Sequence, residues 1–170
     1  MCRITHILAS WTAGDIGRLR NRDLTLVTLA GIMPDLDGFG LLIDLYNWLT
    51  RHARTYYYQQ FHHEILHGLF GAIVISLAVC LWSSNRLRVF VLAFIAVHLH
   101  LLCDLVGSRG PTIHDIWPIP YLAPFSTALT LQWSGQWRLD SWPNLAFTLL
   151  LLVYAGFRFQ RAAGRFTGVP

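Results

Sequence analysis

Five apolar runs, separated by polar or aromatic-rich stretches, set the predicted helix pattern of this chain. A helix needs roughly 20 mostly apolar residues to cross a bilayer, and two of the runs have about that length. The others are shorter, at eleven, ten and thirteen residues. In chain order the five runs cover residues 3–13, 24–33, 65–82, 87–106 and 145–157.

The run at residues 24–33 is short and is followed directly by Pro34. As a helix it would rise about 15 Å, half of the roughly 30 Å hydrocarbon core of a bilayer. It therefore either enters the membrane partway or begins further back, in the arginine-rich stretch GDIGRLRNRD. Residues 39–49 (FGLLIDLYNWL) are amphipathic and aromatic, which is typical of an interfacial helix.

Composition turns this pattern into a fold-class prediction. Hydrophobic residues make up 54% of the 170 residues and charged residues only 13%, about half the share usual in soluble domains. The expected fold is all-α, a polytopic membrane bundle of about four to five helices forming one domain over residues 1–170. The loop at 107–143 is rich in Trp and Pro, and we expect it at the outer membrane interface.

Charge predicts which side of the membrane each turn faces. All 13 basic residues are arginine. If the helices alternate in direction, residues 14–23, residues 83–88 and the tail after 157 share one side, with eight arginines against two aspartates. The positive-inside rule places that side in the cytoplasm, and the other in the periplasm of a two-membrane bacterium. The arginines form no stripe and no nucleic-acid motif is present, which argues against nucleic-acid binding.

The histidines segregate to the opposite side. No histidine falls in the arginine-rich turns or the tail, and most of the acidic residues lie with the histidines. This separation predicts a polar site at the outer membrane interface, facing the periplasm. The set comprises His6, His52, His62, His63, His67, His98, His100 and His114, with Asp35, Asp37, Glu64, Asp104 and Asp115.

His100 and Asp104 stand inside the most apolar run, where ionisable groups are costly and indicate function. Their i, i+4 spacing puts both on one helix face, so an imidazole and a carboxylate can reach one ion. The alternative is a buried hydrogen-bonded pair without metal. His98 points roughly the opposite way and is expected to serve packing.

The stretch FHHEILHGL holds four further candidates at the mouth of the 65–82 run, namely His62, His63, Glu64 and His67. His63 and His67 are i, i+4, and His62 is within reach if it precedes the first turn. The motif resembles a reversed and loosened HExxH, and the alternative interpretation is a solvated interfacial cap.

Asp35 and Asp37 follow a helix-ending proline in GIMPDLDGFG. Alternate carboxylates on extended backbone can converge on one cation or bridge two; the alternative is a polar turn that caps the next helix. His6 is a single early candidate, and His114 is a candidate in the long loop.

These groups together predict a mixed imidazole and carboxylate metal site. Such donors suit Zn²⁺, Mn²⁺ or iron, and a donor set without thiolates argues against a purely structural zinc site. A bound metal activates water and polarises a phosphoryl or carbonyl oxygen. No GxSxG element indicates a serine hydrolase. The residues expected to take part in catalysis are Asp35, Asp37, Glu64, His100 and Asp104.

The elements THILAS, PDLDGFG, HHEILHG, HLHLLCDL and WPIPYLAPFS occur in this order. In this arrangement the chain resembles the bacterial membrane-bound metal-dependent hydrolases of the inner membrane, the YdjM-like family. The resemblance implies metal ligands at His6, Asp35, Asp37, His62, His67, His100 and Asp104. The family's H-R-x-x-T-H element here has His63 and Leu66 in place of Arg and Thr, which leaves open whether His62 or His63 is the ligand.

The resulting functional prediction is a metal-dependent hydrolase of the bacterial inner membrane. We expect zinc as the cofactor, with manganese as the alternative, and a phosphoester or lipid-linked substrate reached from the membrane lipids. A metal-binding transporter or sensor is the second interpretation. A structural protein whose polar cluster fixes helix register is the third.

Overall fold

The helices of the bundle follow the apolar runs of the sequence, with shifted ends. The structure, a computed structural model, describes residues 2–50, 52, 54–58 and 65–167, with side chains up to residue 162. The described helices are α1 (Arg3–Ile16), α2 (Asn21–Ala30), a 3₁₀ helix (Met33–Phe39), α3 (Gly40–Leu49), α4 (Leu69–Cys80), α5 (Arg86–Gly107) and α6 (Trp142–Thr167). The predicted helical fold class is confirmed.

Helix α5 is the centre of the bundle and packs against α1, α2 and α4, whereas α6 packs mainly on α1. The buried positions of α5 recur every three or four residues, which keeps one face of the helix inside the bundle. Many of the core residues are small, and small side chains allow helices to approach closely. The core includes Val27, Ala30, Ala72, Ile75, Val89, Ala93, Ala96 and Val97.

Two helices are long and apolar enough to cross a membrane, Arg86–Gly107 and Trp142–Ala162. The short run at 24–33 forms α2, which begins at Asn21. It meets the next helical segment, Met33–Leu49, at a bend of 46°, and the two together are apolar enough for a broken span or a re-entrant loop. Helix α3 buries none of its residues, as expected for an apolar surface helix.

The predicted spanning helix at 65–82 is wrong in its length. Helix α4 covers only Leu69–Cys80, which is about 18 Å. Residues 65–68 are bent instead, because the N–H of Leu66 donates to Asp37 and the N–H of Leu69 donates to the Tyr121 carbonyl. His67 therefore lies on an irregular segment, and not on the helix.

The long loop carries a small sheet that the all-α prediction did not include. Ile119–Pro120 (β1) pairs antiparallel with Thr130–Leu131 (β2). The loop is fixed to the end of α5 by Gln136, whose amide donates to the Asp104 carbonyl at 2.8 Å and whose Oε1 accepts from the Trp117 N–H. Asn144 adds a second connection by donating to the Gly107 carbonyl at 2.8 Å.

The arginine-rich segments meet at the end of the bundle that lies away from the long loop. Asp15 is buried there and accepts from Arg158 at 2.7 Å and from the Tyr154 hydroxyl at 2.9 Å. Arg88 donates to the Gly17 carbonyl at 2.7 Å. These contacts bring the 14–23 turn, the start of α5 and the end of α6 together, as the predicted alternation of helices requires.

Candidate metal centre

Three histidines from three different parts of the chain meet at one point. His6 comes from α1, His67 from the bent segment before α4 and His100 from α5; each is only 1% exposed. The His6 and His100 rings stack with their centroids 3.8 Å apart, and the His67 ring meets His100 edge-on at 5.1 Å. Three imidazoles buried together in this way require polar or charged partners.

Asp104 supplies the carboxylate that faces these rings. Its Oδ2 lies 3.1 Å from His100 Nε2, as the i, i+4 spacing predicts, and 3.8 Å from His67 Nε2. Its Oδ1 lies 3.3 Å from His6 Nε2 and accepts from the Ser108 hydroxyl at 2.7 Å. One buried carboxylate thus contacts residues from three segments of the chain.

Asp35 is the second carboxylate beside the histidine rings. Its Oδ1 lies 3.7 Å from His100 Nε2 and 4.0 Å from His67 Nε2. The Asp35 side chain is 23% exposed, compared with 7% for Asp104, so it is the more open of these two carboxylates.

Asp35 and Asp37 lie on a 3₁₀ helix, and the extended backbone expected from the sequence is wrong. With three residues per turn, positions i and i+2 of such a helix point about 120° apart. The two carboxylates therefore reach different nitrogens of the same imidazole. Asp35 faces His67 Nε2, whereas Asp37 Oδ2 lies 2.8 Å from His67 Nδ1. Asp37 is therefore placed to orient the His67 ring, and not to share a cation with Asp35.

The hydrogen bonds at the outer nitrogens determine the tautomers of His67 and His100. Nδ1 of His67 contacts the Asp37 carboxylate, and Nδ1 of His100 lies 2.8 Å from the Gly31 carbonyl oxygen. Both oxygens are acceptors, so each Nδ1 carries the proton and each neutral ring has a lone pair at Nε2. Those two Nε2 atoms are 3.2 Å apart.

This arrangement fits a divalent cation. Two Nε2 lone pairs and two carboxylates converge, and the repulsion among them is relieved by a positive charge. Histidine ligands of metals usually donate their other nitrogen to a carboxylate or a backbone carbonyl, as His67 and His100 do here. Two overlapping groups have donor atoms close enough to share one ion: His6, His100 and Asp104, and Asp35, His67 and His100.

Gly31 allows one of these contacts to form. A β-carbon at position 31 would meet the Ser10 hydroxyl on α1, and Ala96 of α5 lies close by. Only a residue without a side chain permits α1 to pack this near to the end of α2. The Gly31 carbonyl can then accept from His100, a role that the sequence motifs do not indicate.

The other predicted site residues have different outcomes. His114 is exposed in the long loop and belongs to neither of the two donor groups. His98 lies outside them too, with Nδ1 2.8 Å from the Phe94 carbonyl and Nε2 2.9 Å from the Tyr121 hydroxyl. The predicted ligands His62 and His63 and the predicted catalytic Glu64 lie outside the described residues.

A cavity of about 580 Å³ opens onto the cluster and is lined by Asp35, Asp104, Tyr58 and three arginines, Arg3, Arg109 and Arg138. Burial, together with the negative charge of Asp35, raises the pKa of Tyr58, so its hydroxyl stays protonated at neutral pH. The candidate metal centre therefore has access to a polar space large enough for a small ligand.

Comparison with known families matches residues 1–166 to the family described as YdjM inner membrane protein. No curated protein and no solved structure matches the chain. The match covers nearly all of the chain, including every residue of the cluster and of the cavity. The chain belongs to the YdjM inner membrane protein family.

Proposed function

We propose that this protein is a metal-dependent hydrolase of the bacterial inner membrane that acts on a phosphoester. The convergence of the His67 and His100 Nε2 atoms, 3.2 Å apart and beside two carboxylates, is the observation that supports the proposal most directly. His67, His100, Asp104 and Asp35 would hold at least one divalent cation, with His6 as a further ligand on the Asp104 side. Zinc suits this nitrogen and oxygen donor set, and manganese is the alternative.

A divalent cation at such a site lowers the pKa of a water toward about 7 and polarises a phosphoryl oxygen. In the reaction the oxygen of one water bonds to phosphorus, the bond to the alcohol oxygen breaks and a proton ends on that leaving oxygen. Asp35 is the more exposed cluster carboxylate in the cavity, so it is suited to accept the proton from the attacking water.

The other residues orient this machinery. Asp37 and the Gly31 carbonyl hold the rings of His67 and His100, and Ser108 donates to the carboxylate of Asp104. We place the cavity on the periplasmic side, because the arginine-rich segments meet at the opposite end of the bundle.

A transporter or sensor is the competing function, and the position of the donors argues against a transport path. Both candidate donor groups share His100 and lie at one end of the bundle. Among residues 2–50, 65–162 and the few described between them, no further group of three metal-binding side chains lies along the rest of the bundle. A transport route would need such a relay through the membrane.

The proposal is tested with purified full-length protein in detergent. We expect at least one equivalent of zinc or manganese per chain by elemental mass spectrometry, and metal-dependent hydrolysis of aryl phosphomonoesters or phosphodiesters. His100→Ala and Asp104→Ala should lose both metal and activity, while His52→Ala, which removes an exposed histidine outside the cluster, should retain both. If the two variants lose their metal but the metal-loaded wild type hydrolyses no phosphoester, the hydrolase assignment is contradicted.

A further inference from the structure

A second cavity adjoins the one at the metal centre, and it is mostly apolar. Its volume is about 410 Å³, and it shares Arg3, Asp35 and Gly38 with the first cavity. The rest of its wall comes from α1, the turn after α2, the 3₁₀ helix and α3. The apolar side chains are Ile7, Ile32, Leu36, Phe39, Leu41 and Leu42.

This apolar groove is open on the surface of the bundle. Leu36 is 41% exposed, Phe39 57% and Leu42 57%, and they belong to the bent helix pair that is apolar enough for a broken span or a re-entrant loop. In a protein of the inner membrane, an exposed apolar surface of this kind faces lipid chains. The groove therefore leads from the bilayer to Asp35 at the edge of the metal centre.

The polar cavity at the other end of the groove is lined by three arginines and three aspartates, and the arginines differ in how they are paired. Arg138 donates two hydrogen bonds to the Asp140 carboxylate, at 3.0 and 2.7 Å. These bonds hold the pKa of Asp140 below its usual value. Among the described residues, Arg3 and Arg109 form no ion pair within 4 Å, although the charge of Arg109 also acts on Asp115. Nε of Arg109 is buried and has no hydrogen-bond partner in the described part of the chain.

Unpaired guanidinium groups in a cavity next to a metal centre complement an anion, and arginine binds phosphate oxygens with its planar fork of donors. The position of Arg3 is informative because it lines both cavities. A charged head beside Arg3 and Arg109 would be joined to a chain lying along Leu36 and Leu41.

We propose that the two cavities together bind one amphiphilic phosphoester of the membrane. Its anionic phosphate lies between Arg109 and Arg3 beside Asp35, and its hydrocarbon chain occupies the apolar groove. This inference rests on the proposed hydrolase function for the reaction, but the binding of the amphiphile can be measured without turnover.

The test uses metal-loaded full-length protein and two alkylphosphonates that cannot be hydrolysed, one with a butyl and one with a hexadecyl chain. Each methylene buried from water contributes about 0.8 kcal/mol, roughly a fourfold gain in affinity. Because the groove is partly open, we expect the hexadecyl compound to bind the wild type at least about tenfold more tightly, beyond its partitioning into detergent.

The variants separate the two halves of the site. A Leu41→Ser/Leu42→Ser double variant should lose the chain-length preference and keep its affinity for butylphosphonate. Arg109→Gln should weaken binding of both compounds about tenfold. The matched controls are Leu149→Ser/Leu150→Ser on the exposed face of α6, and Arg86→Gln at the far end of α5; both should bind like the wild type. Detergent partitioning is the same for every variant, so differences among them report on the groove.

Equal chain-length preference in the groove variant and its α6 control would overturn the groove assignment. Equal affinities of Arg109→Gln and Arg86→Gln would overturn the anion site. These results are distinct from failure of the proposed function. Chain-selective binding without hydrolysis of any phosphoester would support the amphiphile site and refute the hydrolase, whereas hydrolysis of soluble phosphoesters with no chain preference would do the reverse.

Discussion

The Nε2 atoms of His67 and His100 lie 3.2 Å apart although, when both rings are neutral, the hydrogen bonds at their Nδ1 atoms leave a lone pair on each Nε2. Asp104 Oδ2 stands 3.1 Å from one of these nitrogens and 3.8 Å from the other. With neutral rings and no cation, this arrangement places lone pairs and negative charge against each other in a buried site. Metal binding is therefore expected to stabilise the fold as well as to supply reactivity.

Zinc should raise the stability of the metal-free protein. A ligand that binds only the folded state contributes about 2.7 kcal/mol to the free energy of unfolding at a concentration 100 times its Kd. We expect a shift of this size when zinc is added back after chelation, followed through the fluorescence of the seven tryptophans. Mg²⁺ added at the same concentration is the control. Identical unfolding with and without zinc and manganese would contradict a metal centre.

Asp37→Asn should weaken metal binding without abolishing it. Asp37 contacts His67 Nδ1 at 2.8 Å, and the loss of such an outer partner typically costs 10–100-fold in metal affinity. Competition with a chelator of known affinity measures the change. Asp23→Asn, in the first turn of α2 and far from the cluster, should leave the affinity unchanged. Complete loss of metal in folded Asp37→Asn protein would instead make Asp37 a direct ligand.

Gln136→Ala should loosen the long loop over the site. The side chain is only 2% exposed and bonds the carbonyls of Asp104 and Leu105 and the N–H of Trp117. Its removal leaves buried backbone groups unsatisfied, which costs about 1–3 kcal/mol. Chemical denaturation in detergent measures this loss. Gln132→Ala, which changes an exposed glutamine of the same loop, should cost much less, and equal losses would show that Gln136 does not fix the loop.

Asp15→Asn should destabilise the bundle and leave the metal content intact. The Asp15 side chain is 2% exposed and is held by Arg158, whose own side chain is 31% exposed. Because this pair is only partly buried, we expect a loss of about 1–3 kcal/mol in the free energy of unfolding. Elemental analysis of the same sample should still show the wild-type metal content. Loss of metal from a folded variant would mean that the two ends of the bundle are coupled.

Local spacing predicted the parts of the site that a single helix brings together. His100 and Asp104 face each other because a helix places i and i+4 on one side, so no knowledge of the tertiary fold was needed. The segregation of histidines from arginines also indicated one common location, and the structure brings together three of the six histidines in the described part of the chain. The bounds of α5 agree with the apolar run to within one residue at each end.

The remaining features depend on tertiary contacts that spacing does not encode. The residues before α4 leave the helix because Asp37 bonds Leu66 and His67, a contact between segments about 30 residues apart. The role of Gln136 requires the loop to fold back on α5. The extended backbone predicted for Asp35 and Asp37 is wrong because a short 3₁₀ helix has no strong sequence signature of its own.

The close approach of Gly31 to Ser10 links the metal centre to the evolution of helix packing. A β-carbon at position 31 would occupy the space of the Ser10 hydroxyl, and the same residue offers its carbonyl to His100. That β-carbon would also lie 2.5 Å from the Ser10 Cβ, so a relative with alanine at position 31 needs glycine at position 10 to keep the carbonyl in place. We expect positions 10 and 31 to vary together among members of the family, although neither side chain contributes a metal-binding atom.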